Sequence, residues 1–466
     1  MSEARLINRA LKAVLNKYTG EDPHRPAWHL SPQTGLMNDP NGFIQFQGEW
    51  HLFYQWNPVA CAHGAKYWGH WRSTNLLDWR HEPLALVPSE EYESHGCYSG
   101  SAIDHDGRLT LLYTGNVKFE HGRTAWQCLA TVDKNGEVTK QGPVISLPPG
   151  YTGHVRDPKI WRHKDHWYLV LGAQNLAEQG KVLLYRGNSL QEWTLLGEIA
   201  GAHLNGLDDF GYMWECPDLF ALGDREVLIV CPQGLAAQER KWLNTYQSGY
   251  FIGKLDYESA TFPHGEFQEL DHGFEFYAPQ TTLADDGRRI MFGWMGLPDA
   301  NEFFQPTIAQ GWIHTMTCPR ELTLEQGKVM QRPARELQQL REQHKHYQNR
   351  ADALPTLCVE SAELNIRSLG NWEVCFGETL TLACDEQGIR LTRRNLRSGE
   401  PEQRYWLGKV SQLQILCDRS SIEIFINDGE GVMSARYFPQ AKPVAVWQGE
   451  ASLSLDYWQL RLCMVV

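Results

Sequence analysis

A repeat of about 60 residues is the feature that most constrains how this chain can fold. Five segments between residues 36 and 320 each carry an apolar run, a polar turn and a second apolar run. Their equivalent positions lie 57–62 residues apart and are Pro40, Ser101, Pro158, Pro217 and Pro279. Alternating apolar residues around turns that contain Asp and Gly are typical of antiparallel hairpins. Five hairpins at a near-constant interval predict a five-bladed β-propeller, with a β-sandwich as the alternative.

The sequence on either side of this repeat predicts further units. Residues 1–24 predict a short amphipathic helix, since their apolar residues recur every three to four positions. The propeller is expected over 25–322. The stretch 323–350 is charged and rich in glutamine, and it predicts a linker helix. Alternating strands over 351–466 predict a β-sandwich with a structural or oligomer-contact role, so the expected fold class is all-β.

Composition narrows the classes of partner. A net charge of −13 over 466 residues argues against nucleic acid and anionic membranes. Eleven cysteines, an odd number without a CxxC pair, fit free thiols in a reducing compartment. No apolar export segment or membrane-length run is found, so the sequence predicts a cytoplasmic protein. His63, His70 and His81 fit no metal-ligand spacing, and neither a metal nor a cofactor is expected.

Three carboxylates lie beside prolines in the repeat. They are Asp39 in LMNDPNG, Asp157 in RDP and Glu215 in WECPD, at the start of the first, third and fourth units. Each motif alone is also an ordinary turn or strand entry. The innermost strands of a propeller surround its axis, so carboxylates at matching positions are expected to converge there. Their joint occurrence therefore indicates glycosyl-transfer chemistry.

The settings of the three carboxylates predict different roles. Asp39 lies in a rigid turn and is expected to stay ionised, which suits a nucleophile. Glu215 has apolar neighbours, which predict a raised pKa and a general acid. Asp157 follows Arg156, a cation expected to keep it ionised, so that it holds sugar hydroxyls and stabilises developing positive charge. Further residues expected to line a sugar pocket are Gln55, Trp68, Tyr98, Ser99, Tyr277 and Trp294, although core packing is the alternative for each aromatic.

Taken together, the motifs resemble a known family. LMNDPNG, FYQW, WGHW, CYSGSA, RDPK and MWECPD occur in the order found in the β-fructosidases of glycoside hydrolase family 32. DRSSIEIFINDGEGVMSARYFP resembles a strand pair of that family's C-terminal sandwich. The resemblance implies a five-bladed propeller followed by a sandwich, and a retaining double displacement at the fructosyl C2.

The resemblance also implies roles for individual residues. Asp39 matches the nucleophile, Glu215 the acid/base and Asp157 the transition-state stabiliser of the family. The positions that match fructosyl contacts are Asn38, Gln55, Trp68, Tyr98, Ser99 and Arg156. Leu36 stands where many relatives carry Trp, and Tyr98 where many carry Phe, which bears on substrate fit.

The substrate within this family remains open at the level of sequence. An intracellular member supplied by phosphorylating uptake would hydrolyse sucrose 6-phosphate, and sucrose as well, which is the expected function here. The alternatives are a cytosolic sucrose invertase, a fructan hydrolase or fructosyltransferase, and a non-catalytic carbohydrate-binding propeller. Lys66, His63 and Arg123 are candidate phosphate contacts among which the sequence does not choose. The oligomeric state is open, with a homo-oligomer among the alternatives.

Overall fold

The computed structural model describes residues 2–298, 301–463 and 465. Over this described part of the chain, five sheets follow one another along the sequence and form the blades of a propeller, and two further sheets form a sandwich. The all-β prediction is therefore confirmed. Among these residues, no helix has both the length and the apolar character needed to cross a membrane.

The strands of the first three blades are seven to thirteen residues long, except for two edge strands of two residues each. The first blade contains β1 (Gly35–Phe46), β2 (Glu49–Asn57), β3 (Tyr67–Ser73), β4 (Arg80–His81) and, much later in the chain, β19 (Trp312–Ile313). The second contains β5 (Cys97–His105), β6 (Arg108–Phe119), β7 (Gly122–Val132) and β8 (Val138–Ile145). The third contains β9 (Tyr151–His163), β10 (His166–Asn175), β11 (Gly180–Gly187) and β12 (Trp193–Gly201).

The last two blades follow the same plan and close the ring. The fourth contains β13 (Met213–Leu222), β14 (Arg225–Gln233), β15 (Gly249–Gly253) and β16 (Gln268–Glu269). The fifth contains β17 (Tyr277–Leu283), β18 (Arg289–Met295), β20 (Thr315–Met316), β21 (Arg320–Glu325) and β22 (Lys328–Pro333). Strand β19 pairs in parallel with β1, with Gly35 opposite Trp312, so the chain returns to the first blade after building part of the fifth.

Each innermost strand is interrupted at or next to the repeated position, which is a proline in four of the five blades. The register with the second strand shifts between Met37 and Pro40 in β1, and between Glu215 and Asp218 in β13. Comparable shifts occur in β5, β9 and β17. Asp157 and Cys216 take positive φ angles of 69° and 50° at these irregularities. Because a bulge re-aims the side chains beside it, the repeat turns equivalent residues of several blades toward one region.

The sandwich packs its two sheets around a common apolar core. Its described strands are β23 (Arg341–Arg350), β24 (Leu357–Cys358), β25 (Ala362–Leu369), β26 (Trp372–Phe376), β27 (Leu380–Asp385), β28 (Gly388–Arg394), β29 (Pro401–Leu407), β30 (Gln412–Asp418), β31 (Ser421–Ile426), β32 (Gly431–Arg436), β33 (Val444–Gln448) and β34 (Ser452–Leu460). Short 3-10 turns lie at Glu91–Glu93, Glu302–Phe304, Pro306–Gln310, Arg335–Leu340, Ala351–Ala353 and Asn427–Gly429.

The predicted N-terminal helix is α1 (Glu3–Leu15), which packs on the propeller through one face. Leu6 and Ala10 are buried against Tyr67 and Val87. Its opposite face is open, and Leu15 is 82% exposed. The helix therefore covers part of the propeller beside the first blade.

The predicted linker helix over 323–350 is wrong. Its first part belongs to the β21–β22 hairpin at the edge of the fifth blade, and Arg335–Leu340 is a 3-10 turn. The charged remainder is β23, which pairs with β34 along an exposed sheet edge. Polar composition at that edge reflects solvent exposure, and pairing with β34 overrides local helix propensity. The other predicted domain boundaries stay predictions.

A buried polar network joins the propeller to the sandwich. Glu423 on β31 accepts hydrogen bonds from Arg320 Nη2 at 2.7 Å, His29 Nε2 at 2.7 Å and the Cys318 backbone N–H at 2.8 Å. Arg320 also contacts Asp271 at 3.3 Å. Because the side chains of Glu423 and Arg320 are fully buried, the pairing fixes the two units against each other.

Candidate active site

The bulges of β1, β9 and β13 bring the three predicted carboxylates together. The thiol of Cys216 lies 3.5 Å from Asp39 Oδ2 and 3.5 Å from Asp157 Oδ2. Glu215, the residue before Cys216, completes the group. Residues that are far apart in sequence thus share one site, as the spacing of the repeat predicts.

Asp39 is held by two hydrogen-bond donors from its surroundings. Ser99 Oγ donates to Asp39 Oδ2 at 2.6 Å, and Asn38 Nδ2 donates to Oδ1 at 2.9 Å. Lys66 Nζ in turn donates to Asn38 Oδ1 at 2.8 Å, which fixes the orientation of that amide. Burial raises the pKa of Asp39, and the charge of Glu215 adds to this, while the Ser99 and Asn38 hydrogen bonds oppose it. The donors expected to favour the ionised form of Asp39 are thus present, but burial outweighs them in the direction of the shift.

Glu215 is the most extensively bonded of the three carboxylates. Arg156 donates to Oε1 from Nε at 3.0 Å and from Nη2 at 2.6 Å. Oε2 accepts from the Tyr277 hydroxyl at 2.6 Å and from Gln233 Nε2 at 2.8 Å. Burial acts to raise the pKa of Glu215, but the charge of Arg156 and these hydrogen bonds outweigh it and lower the pKa. The expectation of a raised pKa for Glu215 is therefore wrong.

Asp157 does not pair with its neighbour in sequence. Arg156 turns to Glu215, and Asp157 Oδ2 accepts the Cys216 backbone N–H at 2.9 Å. Burial together with the charges of Glu215 and Asp39 raises the pKa of Asp157 to about 7, although the charge of Arg156 opposes the shift. Arg156 thus acts in the expected direction on Asp157, but burial and the two neighbouring carboxylates outweigh it.

The other predicted site residues fall into two groups. Ser99 contacts Asp39 and the Tyr277 hydroxyl contacts Glu215, so these two border the carboxylates, while the half-buried ring of Tyr98 lies against the Arg123 guanidinium. Gln55 is buried and donates from Nε2 to the Cys97 carbonyl at 2.8 Å. The rings of Trp68 and Trp294 are 0% and 1% exposed. Both tryptophans are therefore core residues and present no open ring face.

Sequence reasoning missed Gln233 and His154 as site residues. Gln233 lies opposite Met213 in the β13–β14 pair, which brings its amide to Glu215. His154 precedes Arg156 by two residues on β9, and its Nδ1 lies 2.9 Å from Arg156 Nη1. Since alternate residues of a strand share a face, the spacing of His154 and Arg156 is the signal that could have identified it.

Comparison with known proteins agrees with this geometry. A model of the glycosyl hydrolases family 32 N-terminal domain matches residues 29–333, and a model of the family 32 C-terminal domain matches residues 385–459. The chain belongs to glycosyl hydrolase family 32. The protein is thus a glycoside hydrolase, and the prediction of family and enzyme class is confirmed.

Individual relatives match over nearly the whole chain. The sucrose-6-phosphate hydrolase of Salmonella typhimurium is 57% identical over 445 residues, covering 95% of each chain. That of Bacillus subtilis (strain 168) is 45% identical over 471 residues, covering 98% of each. Among solved structures, the Bombyx mori GH32 beta-fructofuranosidase BmSUC1 superposes with a TM-score of 0.89 at 35% identity, covering 100% of both chains. The sucrose-6-phosphate hydrolase of Lactobacillus gasseri gives 0.88 at 30% identity, covering 99% of this chain and 97% of that one.

Proposed function

We propose that this family 32 protein hydrolyses sucrose 6-phosphate, and sucrose itself, as a retaining β-fructofuranosidase. The observation that carries the reaction is the grouping of Asp39, Asp157 and Glu215, with Asp39 and Glu215 held by separate sets of donors. The substrate rests on the relatives of 45–57% identity that are sucrose-6-phosphate hydrolases. We further propose a cytoplasmic location, which the eleven free cysteines support.

In the first step, Asp39 attacks the fructosyl C2 while Glu215 donates a proton to the glycosidic oxygen. The bond between C2 and that oxygen breaks, a bond between C2 and the Asp39 carboxylate forms, and glucose 6-phosphate leaves. Asp157 accepts hydrogen bonds from fructosyl hydroxyls and, when ionised, stabilises the positive charge that develops on the ring. Asn38 and Ser99 hold the nucleophile in place through the contacts described above.

Proton placement depends on Arg156. Its ion pair with Glu215 lowers the pKa of this carboxyl group, whereas an acid catalyst must carry a proton. We place Arg156 against the fructosyl hydroxyls once substrate is bound. Loss of its two hydrogen bonds would then raise the pKa of Glu215, and the proton would reside there at the start of the reaction.

In the second step, Glu215 changes from general acid to general base. The Glu215 carboxylate takes a proton from water as that water attacks C2, the bond to Asp39 breaks, and fructose leaves with its anomeric configuration retained. Asp39 returns as a carboxylate and Glu215 is protonated again. Two inversions at C2 give net retention, which is the outcome expected of the family.

The proposal is tested by measuring kcat/KM for sucrose 6-phosphate and for sucrose on the same preparation, with fructose release as the readout. We expect a preference of at least about tenfold for the phosphorylated sugar, or ~1.4 kcal/mol of differential transition-state binding. A matched Asp39→Asn preparation, in which no covalent intermediate forms, shows whether the activity belongs to this site. Equal or better turnover of sucrose would make the protein an invertase, and turnover of neither sugar would refute the proposal.

A further inference from the structure

We infer that Arg123 and His154 form the subsite that binds the phosphate of sucrose 6-phosphate, an inference that rests on the proposed function. Arg123 lies at the start of β7 and His154 near the start of β9, so the subsite joins the second and third blades. The ligand is a sugar phosphate dianion, held by a guanidinium and a neutral imidazole.

The position of these groups fits the leaving group of the reaction. Glu215 protonates the glycosidic oxygen, so the glucosyl unit lies beside Glu215 on the side away from Asp39. From Glu215 a chain of contacts runs through Arg156 Nη2 at 2.6 Å and from Arg156 Nη1 to His154 Nδ1 at 2.9 Å. Arg123 Nη1 lies 3.3 Å from the same His154 nitrogen. The Arg123 guanidinium therefore borders the region where the glucosyl 6-position would lie.

The charge at this position is not balanced by the protein. Within the described part of the chain, Arg123 forms no ion pair with a carboxylate, and its Nε donates to the neutral amide oxygen of Asn116 at 3.2 Å. Burial lowers the pKa of Arg123, and the neighbouring charge of Arg156 adds to this. Lys118 contributes further positive potential at His154. A phosphate dianion bound here would supply the missing negative charge.

The donors of the subsite are arranged to face a ligand. Nε and Nη2 of Arg123 donate to Asn116, Nη1 contacts His154, and a further hydrogen bond joins the guanidinium to the Tyr98 side chain, which leaves one of its five N–H groups for an anion. His154 Nδ1 faces two guanidinium groups and must accept, so the pattern assigns its proton to Nε2, a neutral donor. Burial and the charges of Arg156 and Arg123 lower the pKa of His154 to about 4, which keeps it neutral.

Packing holds Arg123 in this place. Its guanidinium carbon lies 5.5 Å from the centroid of the Tyr98 ring. The backbone of Gly153 passes so close that a Cβ there would lie 1.9 Å from the Arg123 carbonyl oxygen and 2.5 Å from its Cγ. These contacts restrict the Arg123 side chain, which reduces the conformational entropy lost when an anion binds.

Lys66 and His63, the other cations considered from sequence, are joined to Asn38 beside Asp39 and not to the contacts that lead from Glu215 to Arg123. Lys66 is buried and bonds Asn38, the neighbour of the nucleophile, at 2.8 Å. His63 lies 2.9 Å from Lys66 Nζ and, through its other ring nitrogen, 2.9 Å from Glu302. Both groups belong to the support of the fructosyl side, whereas the phosphate is on the glucosyl unit.

The test compares Arg123→Ala with wild type on sucrose 6-phosphate and on sucrose. We expect kcat/KM for the phosphorylated sugar to fall about 10- to 100-fold, as for loss of hydrogen bonds to a charged group, while kcat/KM for sucrose changes less than about threefold. Arg123→Lys keeps the charge but loses the planar guanidinium, so its kcat/KM for sucrose 6-phosphate should lie between those of wild type and Arg123→Ala. Arg162→Ala is the matched control, since Arg162 lies near the far end of β9 against Trp167.

The outcomes separate this inference from the proposed function. A wild-type preference for sucrose 6-phosphate that survives in Arg123→Ala would overturn the subsite and leave the proposed function standing. Equal losses on both sugars would also overturn it, because Arg123 would then act through the catalytic groups. Absence of a preference in wild type would make the protein an invertase and would refute both sucrose 6-phosphate as its preferred substrate and the subsite.

A binding measurement gives a second readout that does not depend on turnover. Calorimetric titration with glucose 6-phosphate and with glucose uses the product and its unphosphorylated analogue as probes. Wild type should bind glucose 6-phosphate more tightly than glucose, Arg123→Ala should lose most of that difference, and Arg123→Lys should lose part of it. An unchanged difference in correctly folded variants would place the phosphate elsewhere.

Discussion

Two substitutions separate the ionisation of Asp39 from that of Glu215. Ser99→Ala removes the hydroxyl that donates to Asp39 Oδ2 at 2.6 Å, and Tyr277→Phe removes the hydroxyl that donates to Glu215 Oε2 at 2.6 Å. Each hydrogen bond stabilises the charged form of its carboxylate and lowers its pKa. Removing either one therefore raises the pKa of one carboxylate and leaves the bonds of the other in place.

The size of each shift follows from the energy of the lost contact. A hydrogen bond to a charged group contributes about 1.5–3 kcal/mol, and ~1.36 kcal/mol corresponds to one pKa unit. We expect each substitution to raise one apparent pKa by about 1–2 units. Because the carboxylates interact, the two limbs of the bell-shaped profile of kcat/KM against pH belong to the group as a whole, and each substitution should move a different limb upward.

The assay is the pH dependence of kcat/KM with sucrose as substrate. Sucrose is preferred here because the phosphate of sucrose 6-phosphate ionises near pH ~6 and would add a limb of its own. Tyr250→Phe is the matched control, since this buried hydroxyl bonds Gln268 at 2.9 Å in the fourth blade and should leave the profile unchanged. If Ser99→Ala and Tyr277→Phe move the same limb, or either limb moves downward, the assignment of these contacts to separate catalytic groups is refuted.

Two further predictions concern the acid and the interface between the units. Glu215→Gln should lower kcat/KM on sucrose by about 10²- to 10⁴-fold but affect an aryl fructoside with an activated leaving group far less, because only the poor leaving group needs protonation; parallel assays with equal losses would contradict this. Glu423→Gln should lower the free energy of unfolding in urea at neutral pH by about 3–5 kcal/mol, since it leaves Arg320 buried with one weaker partner. Arg320 and His29 outweigh burial and lower the pKa of Glu423 to about 2, so the stabilisation is complete above the unfolded value of ~4.3 and is lost as pH falls from there to about 2. Wild type should lose stability over that range and Glu423→Gln much less, whereas Glu325→Gln, at an exposed pair with Arg332, should behave like wild type.

The blades could be predicted from sequence because the information that specifies them is local. Alternation and turn residues define each hairpin, and the spacing of Pro40, Pro158 and Pro217 marks equivalent points in three blades. The bulges at those points are what turn Asp39, Asp157 and Glu215 toward one another. Convergence of the carboxylates therefore follows from the repeat alone.

The contacts between blades could not be predicted in the same way. Gln233 and Tyr277 reach Glu215 from β14 and β17, and no local pattern specifies how closely those strands approach. The helix predicted over 323–350 is wrong for a similar reason. The polar residues of β23 face solvent at a sheet edge only because β23 pairs with β34. Both cases depend on tertiary packing, which a single sequence does not encode in any short window.

The contacts of Arg156 explain why the pKa shifts of the three carboxylates differ from those expected from their neighbours in sequence. In sequence Arg156 adjoins Asp157, but in the structure its guanidinium pairs with Glu215 of the next blade at 2.6 Å. The negative charge is thereby stabilised on Glu215, while Asp157 and Asp39, buried beside it, have raised pKa values. A proton that binds this group of carboxylates therefore favours an aspartate over Glu215. In the mechanism proposed above Glu215 acts first as a proton donor, so the ion pair with Arg156 is the contact that has to weaken before the first step.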